Sequence, residues 1–233
     1  MAKKKDPEVR GDQRLENIEE TLSRTEQFIV SNQKVISIVI GIIVIIILGF
    51  FGFQKYYQQP KTIEAQEQMF MAQRYFESDS LDKALYGDGN SLGFIDVADE
   101  YNYTKPGNLA NYYAGICFLK KGDFNQAIDY LEDFDGKDHI VGPMAVGAIG
   151  DAYLELGDRE KAAAYYIEAA NDVDNEFTTP LFLFKAGQVY EILENYDAAV
   201  ETYTRIKENY LKSNEARTID KNIARAEEKR ERK

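Results

Sequence analysis

The chain of 233 residues is 44% hydrophobic and 29% charged, and it carries a net charge of -12 with one Cys and one His. A surplus of acids is repelled by phosphate backbones, which excludes a nucleic-acid binder. Cys117 has no second thiol to pair with, and His139 has no second His and no Cys at ligand spacing, so an intrachain disulfide and a zinc site are excluded as well.

Residues 1–34 hold seven Lys/Arg against seven Asp/Glu, so the acidic excess belongs to 54–233, with 33 acids and 21 bases. In this tail Leu15, Ile18, Leu22, Thr25 and Ile29 recur at spacings of three and four. That pattern predicts an amphipathic helix lying at an interface or running on into the next element. The seam is too short to specify a coiled coil, and self-association or docking to a partner stays open.

Val35–Phe53 is a run of nineteen residues without a charge, interrupted only by Ser37, Gly41, Gly49 and Gly52 among Ile, Val, Leu and Phe. A helix needs roughly 20 apolar residues to cross about 30 Å of hydrocarbon, so a transmembrane helix is predicted over 35–53. The 34 preceding residues and the lack of a small-x-small site after Phe53 favour an uncleaved anchor over a signal peptide. The tail's bases outnumber Lys55 and Lys61 beyond the run, which predicts a cytoplasmic N-terminus and a distal domain on the far side. Residues 54–62 are expected to form a juxtamembrane linker, with Tyr56 and Tyr57 at the interface.

Beyond residue 63 the chain repeats. Gly115, Gly150 and Gly187 are each followed three residues on by an aromatic (Phe118, Tyr153, Tyr190) and twelve on by Ala (Ala127, Ala162, Ala199). Gly122, Gly157 and Asn195 stand between as turn residues, expected in the left-handed conformation that ends a helix. The small residue lets one helix approach its partner, and the Ala sits where the axes cross. Each unit is thus a helical hairpin that must stack on its neighbours. Pro143 and Pro180 both precede their Gly by seven residues, at the first turn of a helix, where a missing N–H costs nothing. A degenerate copy comes first: Ala72, Tyr75 and Ala84 keep the offsets, then Gly87–Asn90 intervene before a second helix at 94–101. After 213, a charged helix with Ile219, Ile223 and Ala226 as its apolar stripe is predicted to cap the stack. Its Lys221, Arg225, Lys229, Arg230, Arg232 and Lys233 form a basic patch, expected as a solvated helix end or as a surface for an acidic partner.

Sharper chemistry is poorly supported. Asp88, Asn90 and Gly93 approximate a calcium loop, but Leu92 takes a ligand position and Asp99 stands where a bidentate Glu is needed, which favours a solvated turn. Cys117 lies in an apolar helical stretch as a small hydrophobe. No phosphate-cradling Gly loop, nucleophile elbow or metal spacing is present, so neither an enzyme nor a bound cofactor is expected.

The repeat resembles the tetratricopeptide family, with its Gly or Ala at the eighth unit position, aromatic at the eleventh and Ala at the twentieth. The resemblance implies an all-α fold: one N-terminal transmembrane helix, a helical-hairpin solenoid over 63–212 and a capping helix over 213–233. It also implies a concave partner groove lined by Leu109, Tyr112, Ile116, Leu119 and Lys120 in the first good unit. Met144, Gly147, Asp151, Leu154 and Glu155 follow in the second, and Leu181, Phe184, Gln188, Glu191 and Ile192 in the third. The family's carboxylate clamp is unmatched, because Tyr112 and Ile116 stand at its Lys/Asn positions, and an apolar groove suits an amphipathic or extended apolar segment of a protein partner. The architecture of tail, anchor and acidic solenoid is similar to the YfgM-like ancillary subunits of the SecYEG translocon. That similarity implies a bacterial inner-membrane protein with a periplasmic solenoid, serving translocon subunits, exported chains or periplasmic chaperones. An organelle import receptor with a cytosolic solenoid is the alternative. An assembly lipoprotein would need a Cys just after the apolar run, and none is there.

Overall fold

In the computed structural model the described residues are 28–233, and the chain divides into two units at Gln59/Pro60. The amphipathic pattern expected from Leu15 to Thr25 lies outside the described residues. Helix α1 spans Gln33–Phe53 and buries none of its side chains. It lies in a helical run, Gln33–Glu77, that among the described residues is the one helix long and apolar enough to cross a membrane. Residues 54–62, expected as a linker, are helical instead: a π-helical turn over Gln54–Gln58 leads into α2, Gln59–Glu77. Pro60 explains the local widening. It has no N–H to give the carbonyl four residues back, and its ring crowds that carbonyl, so i→i+5 bonding just before it relieves both problems.

The second unit is a series of helical hairpins, with no strand among the described residues. Its elements are α2; the short α3 (Leu81–Tyr86) and α4 (Phe94–Glu100); α5 (Lys105–Lys121) and α6 (Phe124–Glu132); α7 (Val141–Glu155) and α8 (Arg159–Asp172); and α9 (Thr178–Ile192) and α10 (Tyr196–Asn209). A 3₁₀ turn at Glu215–Thr218 precedes α11, Ile219–Glu231. The second helix expected at 94–101 is α4, with Phe94, Val97 and Ala98 buried, and a short α3 that buries Ala84 and Leu85 precedes the insertion. From α4 to α11 each helix packs on the next, and α5 with α7 and α7 with α9 also touch, so the first helices of the hairpins form one layer.

The three glycines occupy equivalent places. A Cβ on Gly115 would stand 2.6 Å from Leu131 Cγ, on Gly150 2.8 Å from Tyr166 Cδ1, and on Gly187 2.7 Å from Tyr203 Cζ. In every case the obstructing residue lies sixteen positions further on, at the same height of the second helix. Large side chains there fill the space the absent Cβ leaves, and Tyr166 and Tyr203 are buried.

The helix ends repeat as closely. In all four hairpins the residue eight after the small one donates its N–H to the carbonyl of the repeat aromatic: Ser80 to Tyr75 (2.8 Å), Asp123 to Phe118 (3.0 Å), Asp158 to Tyr153 (2.9 Å) and Asn195 to Tyr190 (2.9 Å). This is the long bond of a Schellman turn, and it forces the residue before it into left-handed geometry. Gly122 (φ 84) and Gly157 (φ 85) comply without strain. In the last hairpin the left-handed residue is Glu194 (φ 55), not the expected Asn195, and in the first it is Asp79 (φ 58). Asn195 instead caps α10, its Oδ1 accepting from Ala198 N at 3.3 Å. Glu194→Gly is therefore expected to stabilise the protein. The left-handed penalty of about 1–2 kcal/mol disappears, while glycine's extra unfolded-state entropy takes back about 0.5–1 kcal/mol. A raised denaturation midpoint of α9–α10 checks this.

Candidate functional site

The expected groove residues fall on α5, α7 and α9, in the layer of first helices, but their apolar side chains other than Ile192 are half-buried and pack into the stack itself. Tyr112 packs on Phe134 with ring centroids 5.5 Å apart, and Ile116 and Leu119 lie against the core shared by α6 and α7. Leu109 packs on the first core, while Met144, Leu154, Leu181 and Phe184 pack on the last. Gly147 is buried against the Phe182 ring of the next hairpin. Gln188, Glu155, Lys120 and Ile192 are exposed, the last at 52%. The open surface is thus more polar than the family positions suggest, because the apolar ones sit where successive hairpins meet.

Two of the three acids assigned to the groove, Asp151 and Glu191, are engaged within the stack. Asp151 accepts from Tyr166 Oη at 2.5 Å and from Lys185 Nζ at 2.7 Å. Lys185 lies 5.4 Å from the centre of the Tyr166 ring. Glu191 accepts from Tyr203 Oη at 2.9 Å and from Arg225 through two bonds of 2.9 and 2.6 Å, with Lys229 at 3.4 Å. The two sites use a similar device in successive hairpins, a turn further along the first helix in the second: a tyrosine of the second helix and a cation of the following helix converge on one carboxylate. Lys185 follows Asp151 by 34 residues, and Arg225 follows Glu191 by 34. Burial and the adjacent carboxylates push both tyrosine hydroxyls well above their ordinary range.

This arrangement corrects the reading of the basic C-terminus. Arg225 and Lys229 pair with Glu191, Arg230 with Asp197 and Lys233 with Glu194, all on α9–α10 or the turn between them. Arg232 pairs within α11 with Glu228. Four of the six cations of the patch thus reach across to the last hairpin while staying partly exposed. The apolar stripe is as expected, with Ile219 and Ala226 buried and Ile223 packed on the same core.

The Glu191 cluster carries a pH dependence. Burial raises the Glu191 pKa, but the hydrogen bonds from Arg225 and Tyr203 and the charges of Arg225 and Lys229 outweigh it and hold the carboxyl below its ordinary 4.5. A depressed folded-state pKa contributes stability that is present above the unfolded value and is lost as pH falls through the folded one. Amide exchange across α11 is therefore expected to quicken as pH drops below 4.5, after correction for the intrinsic exchange rate. Glu191→Gln, already lacking the charge, should show a flatter dependence.

The remaining reactive groups are structural. Asp88 Oδ1 accepts from Asn90 N and Ser91 N at 2.9 and 2.8 Å, and its Oδ2 accepts from Tyr75 Oη at 2.7 Å. The Tyr75 bond and these two amide bonds lower its pKa to about 2. The carboxylate organises the 87–93 turn, consistent with the simpler reading of that loop. Cys117 is buried, and burial pushes its thiol up to about 12. Among the described residues no group of three His, Cys, Asp or Glu is placed to hold a metal.

Comparison with known proteins agrees with this geometry. Two tetratricopeptide repeat family models match, one over residues 148–213 and one over 109–135. No curated protein matches the chain. Among solved structures, a crystal structure of nearly identical TPR-like repeats from a candidate kinesin light chain of Podosopora anserina is similar in fold, with a TM-score of 0.53 at 13% identity. The match covers 73% of this chain and 88% of that one. The chain carries tetratricopeptide repeats, and such repeats build protein-protein interaction scaffolds. Both matching families are repeat families rather than catalytic ones.

Proposed function

We propose that this protein is a membrane-anchored interaction scaffold accessory to the Sec translocon of a bacterial inner membrane. In this reading α1 spans the bilayer with the N-terminus cytoplasmic. The solenoid stands in the periplasm and receives exported chains or periplasmic chaperones. The observation that carries it is the pairing of one fully unburied apolar helix with a stack of tetratricopeptide hairpins in a single chain. A side chain such as Ile43 or Ile46 finds no protein neighbour to bury it, and lipid is the solvent that suits an apolar circumference. The acidic excess of 54–233 keeps the solenoid off anionic headgroups and leaves its faces open to protein partners.

Protease added to intact spheroplasts tests the topology: residues 54–233 are degraded in this reading and survive if the solenoid faces the cytosol. Photo-crosslinking from Gln188 and Ile192 in native membranes tests the partner. Translocon or chaperone adducts are expected, and they should fall when Ile192 is changed to Asp. These exposed positions are better probes than Tyr112 or Phe184, whose loss would also loosen the stack.

A further inference from the structure

The cap helix α11 sits where the first helix of another hairpin would sit. Arg225 meets Glu191 in the same 34-residue register by which Lys185, on α9, meets Asp151. Yet the two helices are seated very differently. Helix α9 enters its site with Phe182, Leu183, Ala186 and Val189 buried. Helix α11 buries only Ile219, Ala226 and Asn222, with Ile223 partly covered.

Asn222 is the discordant residue. Its side chain is 6% exposed, and its Nδ2 finds no acceptor, the one such buried side-chain atom among the described residues. A donor removed from water without a partner opposes the seating of the helix that carries it. The other contacts are ion pairs whose cations stay well hydrated: Arg225, Lys229, Arg230 and Lys233 of α11, and Lys207 of α10 where it meets Asp220, keep 42–57% of their side-chain surface exposed. Such pairs contribute little and weaken with salt. The connecting segment after α10 is anchored at its start by Tyr210, 7% exposed in the last core, and Leu211 next to it is 74% exposed.

We propose that the face of α9–α10 beneath α11 is a docking surface for a basic amphipathic helix of a partner protein, and that α11 is its weak occupant in cis. The chemistry of the occupant is written in what α11 supplies and what it lacks. The partner helix carries apolar residues at the positions of Ile219, Ile223 and Ala226, a fourth at the position of Asn222, and Arg or Lys at the positions of Arg225 and Lys229. Its cations complete the acidic rim of Glu191, Glu194 and Asp197, which is the charge complementarity that selects it. An acidic or neutral amphipathic helix would leave that rim unpaired. The surface meets the groove of the first-helix layer only at Glu191, and the inference is independent of the translocon reading.

A labelled peptide of residues 213–233 carrying Asn222→Leu serves as the probe, titrated by fluorescence anisotropy against the full chain in nanodiscs. Binding is expected to be at least tenfold tighter to an Arg225→Glu chain, whose own cap is loosened. It should be at least tenfold weaker to a Glu191→Lys chain, whose rim is reversed. On the wild-type chain, saturating peptide should accelerate amide exchange over 219–231 while α10 stays protected, a readout that needs no variant to fold. Equal affinity for the three chains, or unchanged exchange over 219–231, overturns the proposal. So does dimerisation of the Arg225→Glu chain through its own α11, which would give the surface to a second copy.

Discussion

Gly147→Ala is expected to destabilise hairpins α7–α8 and α9–α10 by about 3 kcal/mol, at the upper end of ordinary overpacking. A Cβ there would stand 2.7 Å from Phe182 Cδ1 and closer still to Cε1 and Cζ. The ring has nowhere to go: Phe182 is 1% exposed, stacks on Tyr166 at 6.4 Å, and has Lys185 Nζ 5.8 Å from its centre. Alanine's better helix propensity returns only about 1 kcal/mol, so the steric term wins. Because a solenoid's stability is a sum of units and nearest-neighbour interfaces, the loss should concentrate in α7–α10 and spare α5–α6. Hydrogen exchange resolved by segment measures that distribution. Adding Phe182→Leu, which removes the obstructing ring, should recover part of the loss, a coupling expected only of residues in contact. A Gly147→Ala chain as stable as the wild type would mean that α7 and α9 do not meet at this point.

Placing arginine at both Ile43 and Ile47 is expected to release the protein from the membrane. Fifteen of the nineteen residues in 35–53 are Ile, Val, Leu or Phe, and each favours insertion by roughly 0.3–0.6 kcal/mol, about 4–8 kcal/mol together for those that remain once Ile43 and Ile47 are replaced. Each central arginine opposes it by roughly 2.5–3.5 kcal/mol, so two on one helical face bring the balance to about zero or beyond. The repeats do not depend on α1 for their core, so the released chain should keep its helical signal. Retention of the variant after an alkaline carbonate wash would sink the anchoring role.

The stack was legible because its constraints are local and periodic. A small residue, an aromatic three positions on, an alanine at the crossing and a proline in the first turn leave a mark at fixed offsets, and the second helix beyond the Gly87–Asn90 insertion showed through. The turn of the last hairpin did not, since Glu194 has the composition of a surface residue and only the Schellman bond from Asn195 reveals its left-handed backbone. The groove was read from family positions, and Tyr112, Leu154 and Phe184 are half-buried against the cores of the stack. Whether such a side chain faces a partner or the next hairpin depends on how tightly neighbouring units stack, a property of two units that a single unit's residues do not encode. The pairing of Arg225 with Glu191 was equally hidden. A cation on a charged helix looks solvated until the fold brings a carboxylate 34 residues earlier beneath it.

The burial of Cys117 has a practical consequence. Its thiol is held almost wholly as the neutral form at any physiological pH and is closed off from reagents while the repeats are folded. Maleimide or a spin label will therefore pass the native chain by. A cysteine introduced at an exposed site such as Gln188 or Lys221 becomes the only addressable handle, and the face of the molecule that touches its neighbours in a living membrane can be charted one position at a time without first removing a native residue.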